Sequence, residues 1–223
     1  MISKYLKSKN TIDQIKFPLD DEIISKKLYN AWHLKTHPGN TYYYLEDQFT
    51  EDEIELIKAI AKKLPKENST IGDYGKTTES PEYRKSSITW ININECTFWI
   101  YNKLTSLINE VNNIHFNFDL DIISVLQFTE YYSSNNGMYR AHIDANGTKN
   151  PINRKLSVVI QLSDPEEYEG GDLLLYYGKD PVCIKKKKGS MVFFPSFVLH
   201  EVTPVTSGCR RTLVGWIEGP QFR

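Results

Sequence analysis

Apolar and polar positions change period near residue 118. Beyond it, short strand-length runs are broken by Gly, Pro, Asn and Asp, the pattern of strands joined by turns. These runs cover 122–131, 139–144, 155–162, 172–177, 182–187, 190–194, 199–205 and 210–218. Before residue 118, Ile54, Ile57, Ile60, Ala61 and Leu64 recur at helical spacing. Thr50 and Glu53 form a capping box ahead of them, and Pro65 closes the run. Phe98, Tyr101, Leu104, Ile108 and Val111 outline a second helical face. The stretches 41–45 (TYYYL) and 88–94 (ITWININ) read as strands. Residues 66–87 are polar, contain Gly72, Gly75 and Pro81, and read as a long loop suited to a lid or a substrate contact. Within 1–40, Ile23, Ile24, Leu28 and Trp32 line one helical face ending before Pro38 and Gly39.

Eight short strands with this punctuation predict a mainly β fold with flanking helices, its core a double-stranded β-helix (jelly roll). The chain divides into an N-terminal extension (1–40), a strand and helix support region (41–117) and the β core (118–223), the last two forming one domain. Two sheets packed face to face leave an open end, a natural mouth for a site.

Composition narrows the function classes. Lys and Arg number 27 against 28 Asp and Glu, a net charge of −1, so no global field favours nucleic acid or an anionic membrane. Cys96, Cys183 and Cys209 are scattered, without zinc-ribbon or disulfide spacing, which points to a reducing compartment. The N-terminal stretch lacks the apolar run of a signal peptide, and no segment approaches a membrane span. A soluble, cytoplasmic protein is expected.

The chemistry-bearing residues fall in YRAHID (139–144) and HEVTPVTSGCRRT (200–212). His142 and Asp144 are one residue apart, so an extended strand would present both on one face. With His200 they supply two imidazoles and a carboxylate, a set that leaves open positions on Fe(II) for a co-substrate and O2. A 2-oxo acid fills two of those positions, and its far carboxylate then needs a bidentate cation. Arg210 is placed for that, Thr212 adds a hydroxyl on the same face, and Arg211 should face solvent or the outer helices. The charges of Fe(II), Asp144, a 2-oxoglutarate dianion and Arg210 cancel, which suits burial.

Residues from about 40 to 219 resemble the 2-oxoglutarate- and Fe(II)-dependent dioxygenases, in the prolyl 4-hydroxylase-like and PKHD-type branch. The resemblance is carried by LQFTEYY, YRAHID, EGGDLLLY, KKGSMVFFPS and HEVTPVTSGCRRTLVGWIE. It implies His142, Asp144 and His200 as iron ligands and Arg210 as the 2-oxoglutarate anchor. It also implies a co-substrate contact from an upstream tyrosine, Tyr131 or else Tyr132, and gives Trp216 either to the pocket or to the core. The implied reaction converts 2-oxoglutarate and O2 to succinate and CO2 while hydroxylating a C–H, with ascorbate as an auxiliary reductant. The apolar walls would come from Leu173, Leu175, Val192 and Phe194. The implied substrate is a protein or peptide residue, prolyl first, with a free amino acid or other small molecule as the alternative.

Other features carry less. Tyr139 and Arg140, beside the first ligand, are candidate substrate contacts. Lys185 to Lys188 read as a solvated strand end rather than a patch for an acidic partner or nucleic acid. Gly170 and Gly171 read as a tight turn. His33 and His37 sit four apart but have no third ligand nearby. The non-enzymatic alternative is a jelly-roll module holding another metal such as Zn(II), for which an inward Arg210 has no use.

Overall fold

A computed structural model describes residues 41–69, 80–145 and 152–221. The expected helix around Trp32, the His33 and His37 pair, and the middle of the 66–87 segment lie outside these residues.

Local sequence sets the two helices. In α1 (Glu51–Lys63), the Glu53 amide donates to the Thr50 hydroxyl at 3.3 Å and the Thr50 amide to the Glu53 carboxylate at 2.9 Å. Acidic residues in its first turn and Lys62 and Lys63 in its last suit the helix dipole. Ile54, Ile57 and Ala61 are its buried stripe. In α2 (Phe98–Val111) the buried arc is Ile100, Tyr101, Leu104, Ile108 and Val111. Phe98, expected on that arc, is 58% exposed. It stands two residues before Ile100, about 200° around the helix from it.

The strands are β1 (Tyr43–Leu45), β2 (Glu67–Asn68), β3 (Arg84–Lys85), β4 (Ser87–Ile91), β5 (Ile122–Ile123), β6 (Leu126–Tyr132) and β7 (Met138–His142). They continue as β8 (Ile152–Gln161), β9 (Tyr168–Gly170), β10 (Leu173–Tyr176), β11 (Val182–Cys183), β12 (Met191–Pro195), β13 (Leu199–Val202) and β14 (Val205–Pro220). The larger sheet runs β1-β12-β8-β14-β6-β4-β2, with β5 and β9 also paired to β14; the smaller runs β11-β10-β13-β7-β3. All pairings are antiparallel, and this is the expected jelly roll.

The larger sheet is buried on both faces. Met191 and Phe193 of β12 join the helices and the outer faces of β6, β8 and β14 in one core, while Val192 and Phe194 face the smaller sheet in a second. A strand buried on both sides shows no polar alternation, which explains the unbroken MVFF run.

Several strand limits differ from the sequence reading. The 122–131 run breaks at Ser124, whose amide and hydroxyl both donate to the Trp216 carbonyl. The 199–205 and 210–218 runs become β13 and a single long β14. Gly208 lets β14 bend there, at φ 68°, where a Cβ would lie 1.9 Å from the Glu167 carbonyl oxygen. Residues 66–87, expected as loop throughout, include β2, β3 and the start of β4.

The lysine run lies past β11, and each lysine meets an acid of the same chain. Lys185 pairs with Glu46, Lys186 with Asp172, Lys187 with Glu46 and Asp47, and Lys188 with Glu51. Among the described residues, no helix is long and apolar enough to cross a membrane.

Candidate active site

Pairing of β7 with β13 makes His142 and His200 direct cross-strand partners, with ring centroids 4.2 Å apart. Asp144 reaches them differently from the sequence expectation. Strand β7 ends at His142, and the amides of Asp144 and Ala145 both donate to the Ser196 carbonyl, at 2.8 and 2.9 Å. The turn thus captured, rather than strand alternation, delivers the carboxylate. His142 Nε2 lies 3.7 Å from Asp144 Oδ1 and His200 Nε2 lies 3.5 Å from Asp144 Oδ2. The three ligand atoms fall within 4.8 Å of one another. Adjacent ligands on one metal, at bonds of about 2.1 Å, stand roughly 3 Å apart, so a small closure suffices.

Both imidazoles are pre-set for ligation. His142 Nδ1 contacts the Arg140 carbonyl at 2.8 Å and His200 Nδ1 the Val198 carbonyl at 2.9 Å. A carbonyl only accepts, so each Nδ1 carries the proton and each Nε2 lone pair is free for a metal. Burial, aided by the His200 ring, lowers the His142 pKa to about 4, keeping that ring neutral at pH 7. Burial works to raise the Asp144 pKa, but the two imidazoles and the Ser157 hydroxyl outweigh it, and the group is held below its usual range. Ser157 donates to Asp144 Oδ2 at 2.7 Å and itself pairs with the Ser196 hydroxyl at 2.9 Å.

Around the ligands, Tyr139 stacks on His142 with centroids 3.5 Å apart, and burial pushes its hydroxyl up to about 12. Arg84 sits 4.4 Å over the Tyr139 ring and donates to Gln127 at 2.8 Å. Tyr83 donates to the Ala141 carbonyl at 2.6 Å. Arg140 instead turns its Nε to the Glu82 carbonyl at 2.5 Å, on an exposed edge.

Arg210, 4% exposed, is the cross-strand partner of Tyr131, and its guanidinium lies 5.6 Å from that ring. Its Nε is buried without a hydrogen-bond partner, and no carboxylate among the described residues forms an ion pair with it. Arg210 lines a small pocket, partly open to solvent, together with Tyr44, Gln161, Leu173, Lys186 and Val192. Gly171 makes room for it: a Cβ there would sit 2.9 Å from Arg210 Cδ, at a backbone φ of 61°.

Thr212 is buried one alternation further along β14 but does not line that cavity. Tyr131 shares the inner core, whereas Tyr132 accepts from Lys66 at 2.8 Å on the opposite face, which separates the two candidate tyrosines. Arg211 also faces that side, 3.2 Å from Glu130. Of the expected walls, Leu173 and Val192 line the cavity, Leu175 is buried in the same core, and the Phe194 ring lies 4.8 Å from His200.

Trp216 shares the Arg210 face of β14 by alternation, and its cross-strand partner is Ser157. The Trp90 ring lies 6.5 Å from it and the Arg154 guanidinium 4.0 Å over it. Trp216 Nε1 and Arg154 Nε are buried donors without partners among the described residues. The sequence reading missed Arg84, Trp90, Arg154, Ser157 and Ser196. Ser157, a lone polar residue in the apolar run LSVVI, carried the one usable signal.

Residues 126–218, which contain His142, Asp144, His200 and Arg210, match the family described as the 2OG-Fe(II) oxygenase superfamily. A PKHD-type hydroxylase of Acinetobacter baumannii (strain AYE) is 42% identical over 106 residues, 44% of each chain. The chain therefore spans less than half the length of that curated relative. A Pseudomonas putida prolyl-4-hydroxylase superposes with a TM-score of 0.62 at 19% identity, covering 81% of this chain and 94% of its own. A Trichoplax adhaerens prolyl hydroxylase, solved with a hypoxia inducible factor oxygen degradation domain peptide, gives 0.63 at 18% identity, covering 90% and 94%. At such identities these two structures speak for the jelly-roll fold alone. The matched segment holds the whole ligand set in that fold: residues 126–218 are similar to the 2OG-Fe(II) oxygenase superfamily, and the chain is similar to the PKHD-type hydroxylases over 44% of its length.

Proposed function

We propose that this chain is an Fe(II)- and 2-oxoglutarate-dependent dioxygenase that hydroxylates a C–H of a peptide residue, prolyl foremost. The observation that carries the reading is Arg210, a buried cation that forms no ion pair among the described residues (Asp172, whose carboxylate feels its charge, is bonded to Lys186), in the segment that holds the His142, Asp144 and His200 set. A module that merely holds Zn(II) has no use for such a cation, whereas a bound dicarboxylate neutralises it.

The residues present fit the metal. Two imidazoles and one carboxylate converge, and the Ser157 and Ser196 hydroxyls fix the carboxylate. When bound, Fe(II) supplies the O2 chemistry that converts 2-oxoglutarate to succinate and CO2 and leaves one oxygen atom on the substrate carbon. Arg210 holds the far carboxylate, with Tyr131 stacked near it. Leu173, Val192 and Phe194 keep bulk water away from the reacting groups. Ascorbate would act as an auxiliary reductant.

The substrate side is supported by the Trp90, Trp216 and Arg154 cluster. Aromatic faces suit the apolar ring of proline, and the unpartnered Trp216 and Arg154 N–H groups suit a substrate carbonyl, which only accepts. The Trichoplax neighbour, whose fold this chain shares, was itself solved with a peptide. A free amino acid is the competing substrate.

The test offers Fe(II), 2-oxoglutarate and O2 with proline-containing peptides in one arm and free proline in the other, read by mass spectrometry. Gain of one oxygen on a peptide, lost in Trp216→Ala with metal binding intact, is the expected result. Oxygen gain on the free amino acid alone would overturn the peptide assignment.

A further inference from the structure

Two of the residues lining the cavity carry a buried polar atom without a hydrogen-bond partner among the described residues: Arg210, at Nε, and Tyr44, at its hydroxyl. The other polar side chains lining it already have partners. Lys186 is held by Asp172 at 2.7 Å and the Gly170 carbonyl at 2.6 Å. Gln161 donates to the Tyr168 hydroxyl at 2.9 Å, Ser190 to the Lys187 carbonyl, and Lys185 pairs with Glu46 at 3.2 Å. We propose that Tyr44 is a second anchor for the far carboxylate of the co-substrate, its hydroxyl donating to one oxygen while Arg210 binds the other. The proposal rests on the oxygenase reading of the site.

Tyr44 belongs to β1, outside the matched 126–218 segment. Strand alternation puts Tyr43 and Leu45 against the helix-side core and Tyr42 and Tyr44 in the core between the sheets. Pairing of Tyr44 with Val192, itself a cavity wall, fixes the register that brings the Tyr44 side chain to the cavity. A buried hydroxyl without a partner is costly, and a carboxylate is the strongest acceptor that can relieve it. Arg210 and Tyr44 together then set how far the second carboxylate stands from the metal. That distance selects the five-carbon 2-oxo diacid over oxaloacetate, which is one methylene shorter.

The experiment is calorimetric titration of 2-oxoglutarate and of oxaloacetate into the Mn(II)-loaded protein without O2, for wild type, Tyr44→Phe and Tyr42→Phe. Thermal melts of the metal- and ligand-free proteins run alongside. Tyr44→Phe removes one oxygen atom that has no partner in the free protein, so its melting temperature should equal or exceed that of wild type. Its Kd for 2-oxoglutarate should rise about tenfold or more, as for loss of a hydrogen bond to a charged group. Its Kd for oxaloacetate should change less, and Tyr42→Phe should bind like wild type. An unchanged Kd in Tyr44→Phe overturns the proposal. So does a weakened Kd accompanied by a lower melting temperature, because the hydroxyl would then be structural. Wild type that binds Mn(II) but not 2-oxoglutarate overturns the oxygenase reading and the proposal with it.

Discussion

Ser157 and Ser196 show how individual residues divide the work at the metal centre. Asp144 lies beyond its strand and is steered by the Ser196 carbonyl through the backbone and by the Ser157 hydroxyl through the side chain. Ser157→Ala deletes little volume but frees the carboxylate to rotate. The expected outcome is metal affinity weakened about tenfold or more, within the range for lost outer-shell partners, with an unchanged fold. Calorimetric titration with Mn(II) checks it, and full affinity would show that the backbone turn alone positions Asp144. The ligands and Arg210 were legible in the sequence because the chemistry restricts which residue types can serve. The route by which Asp144 arrives was not, since it depends on a contact with Ser196, far away in the chain. Tyr131 and Tyr132 were not separable either, until the pairing with β14 put one on each face.

At the scale of elements, what is local was readable and what is cross-strand was not. The Thr50 and Glu53 capping box is a pattern within one turn, and α1 begins where it predicts. Thr50→Ala should cost about 1 kcal/mol of stability, measured by denaturant unfolding, with the slope unchanged. Strand limits were misread at Ser124, at Gly208 and through 66–87, where distant partners decide. Lys66 illustrates the last case, pairing with Glu130 of β6 at 2.5 Å and so tying the start of the expected loop to the sheet. Burial acts to raise the Glu130 pKa, but hydrogen bonds with Lys66 and Tyr132, the Lys66 charge and Arg211 outweigh it, and it is lowered. A lowered carboxylate pKa contributes stability above the unfolded value of about 4.3, and that contribution is lost as pH falls through the folded value. Glu130→Gln should therefore be less stable than wild type at neutral pH, with the gap closing below about pH 4.3. Urea unfolding across pH 3 to 7 reads this directly, and a gap independent of pH would contradict it.

For the whole molecule, the short strand-length runs and the turn residues between them after residue 118 were enough to identify a jelly roll, although strands buried on both faces, such as β12, do not alternate. The role of the earlier strands was less visible. β1, β2 and β4 complete the larger sheet, and β3 the smaller one, so the described residues between 41 and 117 share the same sheets as the core. The near-neutral charge is likewise organised rather than incidental, with each residue of the Lys185 to Lys188 run meeting an acid of this chain. The central claim is that the triad and Arg210 act together on 2-oxoglutarate. Its most direct test is succinate formation by Fe(II)-loaded protein given O2 and 2-oxoglutarate, beside an Arg210→Ala variant that still binds metal. The account predicts slow succinate release by wild type without any peptide, and a drop of about a hundredfold or more in the variant, as for loss of a charged, bidentate anchor. Wild type with stoichiometric Fe(II) that forms no succinate under any condition, peptides included, would contradict it.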